Sequence, residues 1–383
     1  MGDGLHGAVR DRACRLRHLH AHPEGQRPVV RRCRPHPPVR GAVSRALFLG
    51  GPGNISESTI ARLLELGWEV AVLKRSPGGL LGLDVRVFQG DRDDETALTE
   101  ALTSFTPDLV VDCTCFTVEQ AATVIRALGA HPVARLVFIS TADVYGYPLS
   151  RLPMREEDPW RPPTSEYAAS KKAIEELYQR ACEEIGARLT IVRPGYSMGK
   201  SFALTAFSLK ATGLVSRLRQ GLPVFSPGDG TTLIDAGAAH NTGLMVARLC
   251  EVEPQELAYN CAHPTAVTYD EYLRVFGEAV GVEPRIVHIP TDVLYALDRP
   301  EVEQSLLRDL TSHHLYFRVD RFREEFPDFR WEHSLVDAAR DHITHQESLG
   351  AFAEPIPPGF EDRVVDAWLA GFDDLRSGLL ARV

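Results

Sequence analysis

No apolar run in the sequence approaches the ~20 residues that a bilayer span needs. The first residues also lack the apolar core of a secretory leader. Cysteine is sparse and odd in number: seven in 383 residues, at positions 14, 33, 113, 115, 182, 250 and 261. Scattered over expected strands and helices, they form no disulfide framework. Cys113-Thr114-Cys115 has no second ligand cluster at zinc spacing, so no metal is expected. A reduced, cytoplasmic protein without a membrane partner fits these absences. The net charge of −10 leaves too little positive charge for nucleic acid to be the main partner.

Such positive charge as there is gathers at the start. Residues 1–45 hold ten Arg and five His against three acids, with no Lys, which leaves the remaining chain at −17. Prolines 23, 28, 35, 37 and 38 break any helix there. With no apolar periodicity and no aromatic ring to stack on bases, residues 1–44 are expected to be a disordered basic extension.

From Arg45 the pattern changes. The length suffices for one large domain or two with a sizeable core. Apolar runs predict strands at 46–50, 69–73, 85–88, 108–112, 136–140 and 189–192. Helical patterns fall near 54–66, 94–105, 117–129 and 165–185. Strands rich in Val, Leu and Ile that alternate with helices give an α/β fold with a parallel, doubly wound sheet. Ligands bind such sheets at the carboxyl ends of the strands.

The stretch Ala46 to Ser56, Ala-Leu-Phe-Leu-Gly-Gly-Pro-Gly-Asn-Ile-Ser, organises the rest. An apolar strand ends in glycines and a helix pattern follows. Gly50 permits a sharp turn and Gly53 lets backbone approach a pyrophosphate, with Asn54 and Ile55 at the entry to the helix. Free N–H groups and the positive end of the helix dipole favour that anion. Alone, this is also what an ordinary βα turn looks like. A second signal is Tyr167-Ala168-Ala169-Ser170-Lys171. Tyr and Lys four apart share one helix face. A free phenol titrates near ~10, and an adjacent ammonium favours its ionised form, as an acid/base at neutral pH needs.

From about Ser44 to about His345 the chain resembles the extended short-chain dehydrogenases/reductases, the group of the NAD-dependent epimerases and dehydratases. The resemblance rests on Gly-Gly-Pro-Gly-Asn-Ile-Ser at 50–56, Gly90-Asp91-Arg92, Ser140-Thr141-Ala142-Asp143-Val144-Tyr145-Gly146, Tyr167 with Lys171, and Arg193-Pro194-Gly195. It implies a Rossmann-type domain over 45–194 and a smaller α/β substrate lobe over 195–345. It also implies hydride transfer at a hydroxyl or keto carbon of a sugar-like substrate, with Tyr167 as acid/base and Lys171 holding the nicotinamide ribose. By the family pattern Thr141 completes the catalytic set. Asp91 would approach the adenine, with Arg92 also in the cofactor site, and Cys113 and Thr114 would border the cofactor. One acid of the 4,6-dehydratase pair is missing at Ala142. Tyr196 and Ile234 stand where nucleotide-sugar enzymes often place Asn and Arg. Epimerase and net reductase both remain open, as does a non-catalytic sensor or an RNA-binding relative with the same fold.

Two further expectations concern the cofactor and the tail. Lys74 and Arg75 end the second strand, and no Asp or Glu occurs from Val70 to Gly82. Two cations there suit the extra phosphate of NADP, with NAD as the alternative. After His345, prolines 355, 357 and 358 are read as a linker within a tail of 346–383. Phe360, Val364, Trp368, Phe372 and Leu375 then recur at helical spacing, a stripe that docks on the protein's own surface or on a twin subunit in a homodimer.

Overall fold

Alternate residues of the first strand, β1 (Arg45–Leu49), feed two separate cores. Ala46 and Phe48 point to one, Leu47 and Leu49 to the other, and all four are fully buried. Burial on both faces is what a central strand of a parallel sheet demands. The computed structural model describes residues 43–382 apart from prolines 355, 357 and 358. The basic extension up to residue 42 and the linker prolines therefore lie outside the described residues.

The chain continues through α1 (Ser56–Glu65), β2 (Glu69–Lys74), β3 (Arg86–Gln89), α2 (Glu95–Phe105), β4 (Leu109–Asp112), α3 (Val118–Ala130), β5 (Arg135–Ile139), α4 (Glu166–Ile185) and β6 (Arg188–Pro194). Asp94, Thr117 and Ser165 each cap their helix, the side-chain oxygen accepting from a backbone N–H of the first turn. One strand of the main sheet has no counterpart in the sequence reading: β7 (Ala258–Cys261). It completes a seven-stranded parallel sheet in the order β7-β6-β5-β4-β1-β2-β3. Leu49 at the end of β1 is level with Leu73 of β2 on one side and Asp112 of β4 on the other. The connections diverge here, and a crevice opens at the carboxyl ends of the strands. This is the Rossmann-type doubly wound fold.

Helices α2, α3 and α4 cover one face of the sheet through Leu98, Val124, Ile174 and Tyr178. The other face is covered by α1 and by α5 (Ala239–Glu251), with Ile60, Leu63, Met245 and Leu249 at the contact. The smaller lobe has its own core, in which the strand pairs 196–198 with 236–238 and 224–227 with 286–289 pack against the helix Tyr269–Val280. The stretch 195–345 is thus not wholly separate, because α5 and β7 return to the main sheet from within it. Ala-Tyr-Asn-Cys in β7 is short and holds no β-branched residue, so the strand has no signature of its own. The last helix, Phe360–Leu380, lays Phe360, Val364, Val365 and Trp368 on the small-lobe core, while Phe372 and Leu375 stay exposed.

Buried charge fastens α4 to the sheet. Arg193 on β6 donates to both carboxylate oxygens of Glu175 on α4, at 3.0 and 2.7 Å, and both side chains are buried. The guanidinium also lies 4.5 Å from the Trp160 ring centre. Removing one member of such a pair strands the other. Glu175→Ala should lower the unfolding free energy by about 3–5 kcal/mol in a urea titration, and Glu175→Leu with Arg193→Met should restore most of it. A single-variant loss below about 1 kcal/mol would mean that the guanidinium finds water.

Candidate active site

The turn after β1 is built from two glycines with positive φ, Gly50 at +88° and Gly51 at +97°. A Cβ on Gly50 would lie 2.5 Å from the Thr114 side chain, and one on Gly51 would lie 2.6 Å from Ser56 Oγ. The motif therefore depends on the adjacent pair, and Gly51 was not singled out from the sequence. Gly53 has no such restriction; its N–H donates to Ser56 Oγ at 2.9 Å. Asn54 donates to the carbonyl of Ser197 at 2.8 Å, and its own buried Oδ1 has no partner. Ile55 precedes α1 without a side-chain cap.

A trough runs along the carboxyl ends of the strands. At one end a cavity of about 430 Å³ is lined by Gly50, Gly51, Lys74, Arg75, Asp91 and Thr114, among others. Lys74 donates to Gly78 O at 2.8 Å, and Asp91 accepts from Asp93 N–H at 3.0 Å. Arg92 is differently placed. Its guanidinium is buried and both terminal nitrogens donate to Asp112, which is itself fully buried. The Tyr178 hydroxyl donates to the same carboxylate at 2.5 Å. Arg92 borders the trough, but its fork holds the end of β4 rather than facing a ligand. Cys113 and Thr114 follow, and the Thr114 hydroxyl donates to Leu49 O at 3.2 Å. Burial first, then Asp112, push the Cys113 thiol up, which disfavours its thiolate.

At the other end lies a cavity of about 580 Å³ with Ser140, Thr141, Asp143, Tyr167 and Lys171 on its wall. Thr141, two residues after β5, caps a short 3-10 turn, accepting from Asp143 N–H at 3.2 Å. The neighbouring Ser140 hydroxyl is buried without a partner. Tyr167 and Lys171 come from the first turns of α4, Tyr167 partly exposed and Lys171 buried. The Lys171 ammonium donates to Ile139 O at 2.8 Å and stands 5.0 Å from the Phe116 ring centre and 5.8 Å from that of Tyr167.

The Lys171 ammonium, expected to favour the Tyr167 phenolate, is turned to the backbone here. Burial, then the Asp143 carboxylate, push the phenol up to about 12, and the Thr141 hydroxyl pulls it partly back. Asp143 is itself raised by burial, although the Tyr147 hydroxyl donates to it at 2.7 Å. His240 lies outside the cavity wall; it stacks on His333 at 3.9 Å and bonds Ser58 at 2.9 Å.

Burial is also the largest influence on Lys171 and brings it down to about 8, with Asp112 opposing. An unfolded lysine titrates near ~10.4. A depressed folded value means stability that is full above ~10.4 and is lost as pH falls through about 8. Lys171→Met removes this dependence. The unfolding free energy of the wild-type chain should gain on that of K171M by about 2 kcal/mol between pH 8 and pH 10, read from urea titrations at each pH. A constant difference would place the ammonium in contact with water.

The cavity's remaining wall comes from far along the chain: Tyr196, Phe202, Leu204, Leu209, Leu306 and Phe317. Apart from Tyr196, these single positions scattered over more than a hundred residues left no motif to find. Ser140, Asp143 and Gly195 stood inside motifs already quoted.

Known proteins match this arrangement. The NAD dependent epimerase/dehydratase family matches residues 46–262. The UDP-glucose 4-epimerase of Halalkalibacterium halodurans is 31% identical over 165 residues, 38% of this chain and 49% of that protein. The 2'-dehydrokanamycin reductase of Streptomyces kanamyceticus is 33% identical over 159 residues, 40% of this chain and 44% of that protein. The match thus spans about half the length of these relatives. Among solved structures, the Bifidobacterium longum UDP-glucose 4-epimerase in complex with NAD+ and UDP superposes with a TM-score of 0.65 at 19% identity, covering 80% of this chain and 99% of that one. Such a likeness speaks for the fold alone. With the family match covering more than half of its length, the chain belongs to the NAD dependent epimerase/dehydratase family.

Proposed function

We propose that the protein is an NAD(P)-dependent reductase or epimerase acting at a hydroxyl or keto carbon of a sugar-like substrate. The carrying observation is that Thr141, Tyr167 and Lys171 converge at the mouth of one cavity, at the end of a trough that starts at the glycine turn. The residues fit a dinucleotide. Gly50 and Gly51 line the cavity in a positive-φ turn that has no room for a side chain, so backbone alone faces a ligand there, and Asn54 Oδ1 is a buried acceptor without a partner among the described residues. The turn and the start of α1 would hold the pyrophosphate, and Lys171 the ribose next to the nicotinamide. When bound, the nicotinamide supplies or accepts a hydride at the substrate carbon.

The chain's own groups handle the oxygen on that carbon. The Tyr167 phenol, held protonated, gives its proton to an oxygen that is becoming an alkoxide, and takes one back in the reverse direction. Thr141 hydrogen-bonds the same oxygen and fixes its position. The ring of Phe116 stands 6.5 Å from that of Tyr167 on the same cavity wall. Intact Tyr, Lys and hydroxyl together favour an enzyme over a sensor. The five described cysteines are free, which supports a reducing, cytoplasmic setting. Among the described residues no helix is long and apolar enough to cross a membrane. A homodimer belongs to the same reading, supported by the exposed Phe372 and Leu375.

Tyr167→Phe keeps the ring and removes the proton carrier. Turnover should fall by about 100-fold or more, with cofactor affinity within about twofold of the native value by fluorescence titration. Near-native kcat in this variant would remove Tyr167 from the acid/base role.

For the cofactor we favour NADP. Lys74 and Arg75 line the trough, and Lys74 has only the Gly78 carbonyl to leave. Hydrogen bonds to charged groups contribute about 1.5–3 kcal/mol, so NADP should bind about tenfold tighter than NAD. The preference should vanish when both residues become Ala. Equal affinities in the native protein would assign NAD.

A further inference from the structure

We propose that the cavity selects an amine-bearing sugar-like substrate without a pyrophosphate, its ammonium paired with Asp143 and its apolar part under the roof of the small lobe. The inference rests on the reaction centre proposed above and concerns what that centre is offered. A nucleotide diphosphate brings two or more negative charges, which need cations or free N–H groups when they leave water. Among the described residues on the cavity wall, the only charged side chains are Asp143 and Lys171. Lys171 is spent on Ile139 O and lies at the cofactor end.

The roof offers no replacement. Lys200 is paired with Glu57 at 2.6 Å, Arg308 with Glu303 at 2.6 Å, and Arg217 with Asp362. Lys210 follows Leu209 but is not part of the wall. Backbone donors are equally committed in the loop that crosses the cavity. Ala203 N–H donates to Leu209 O, Thr205 N–H to Ser208 O, Leu204 N–H to the Tyr196 hydroxyl, and Ala206 N–H to the Tyr269 hydroxyl. Tyr196 is further fixed by the Tyr272 hydroxyl at 2.7 Å, and Ile234 is fully buried. What remains under this loop is Phe202, Leu204, Leu209, Leu306, Leu310, Leu315 and Phe317, a surface suited to an apolar ring or chain.

Asp143 is the complementary half. It stands on the cavity wall beside the reaction centre and accepts from the Tyr147 hydroxyl, with no cation bonded to it. A partly desolvated carboxylate without a counter-charge is unfavourable, and a ligand ammonium supplies that charge. A substrate hydroxyl would leave the charge uncompensated, and a phosphate would add repulsion.

Calorimetric titration of the NADP-saturated protein decides this without turnover, so failure here is distinct from failure of the Tyr167 test. Three probes are compared: 4-nitrophenyl 2-amino-2-deoxy-glucopyranoside, its neutral parent 4-nitrophenyl glucopyranoside, and UDP-glucose. The amino glycoside should bind about tenfold or more tighter than either of the others. Asp143→Asn should bring the amino and neutral glycosides within about twofold of each other. If UDP-glucose binds as tightly as the amino glycoside, or if the two glycosides bind alike or not at all to the native protein, the inference is overturned, whatever the folding of the variant.

Discussion

A single carboxylate without access to water, Asp112, holds together the parts of the molecule that must not move relative to one another. It ends β4, at the point where the strand order reverses. Arg92 reaches it from the loop after β3, and Tyr178 reaches it from the middle of α4. Such a charge is tolerable only with its donors in place. The demand fixes the loop beside the adenosine end of the trough and the helix that carries Tyr167 and Lys171 to one reference point. The second buried pair, Glu175 with Arg193, ties the same helix to β6. Two anchors on α4 set both its rotation and its distance from β5, which Thr141 follows.

Most of this frame was legible from the sequence because local chemistry dictated it. The strands that became β1, β2, β4 and β5 were readable as apolar runs, since they are buried on both faces. Helix starts were readable because Asp94, Thr117 and Ser165 are residues that cap. The motif residues lie where strand ends place them, and that too follows from the order of the elements. The rest depended on distance in space. β7 has no apolar pattern and is a strand only because β6 offers an edge. Arg92 looked like a ligand-facing residue beside Asp91, yet one residue further on its side chain turns inward to Asp112. The direction of the Lys171 ammonium was not legible for a similar reason: spacing along a helix gives a shared face, but not which way an ammonium points.

The small lobe shows how one scaffold changes what it is offered. The reaction centre uses β5 and α4, which the main sheet positions. The roof uses residues near 202–209 and 306–317, which the sheet does not constrain. Changes in the roof alter charge and shape above the centre without disturbing the hydroxyl, phenol and ammonium below it. In this chain the roof has been filled with Leu and Phe, and its loop donors bond within the lobe.

The position of β7 has a consequence for how the molecule is made. The sheet's outer edge on that side is the last strand to arrive, after a long excursion into the lobe and back through α5. While the chain is being synthesised, β6 presents an open row of N–H and C=O groups until the ribosome has passed Cys261. The nascent protein therefore carries a sticky strand edge for the whole time that Gly195 to Leu257 takes to emerge. Arg188 at one end and Pro194 at the other flank that edge, a charge and a residue without a donor. A charge and a missing donor are features that disfavour pairing of an open edge with a neighbouring chain.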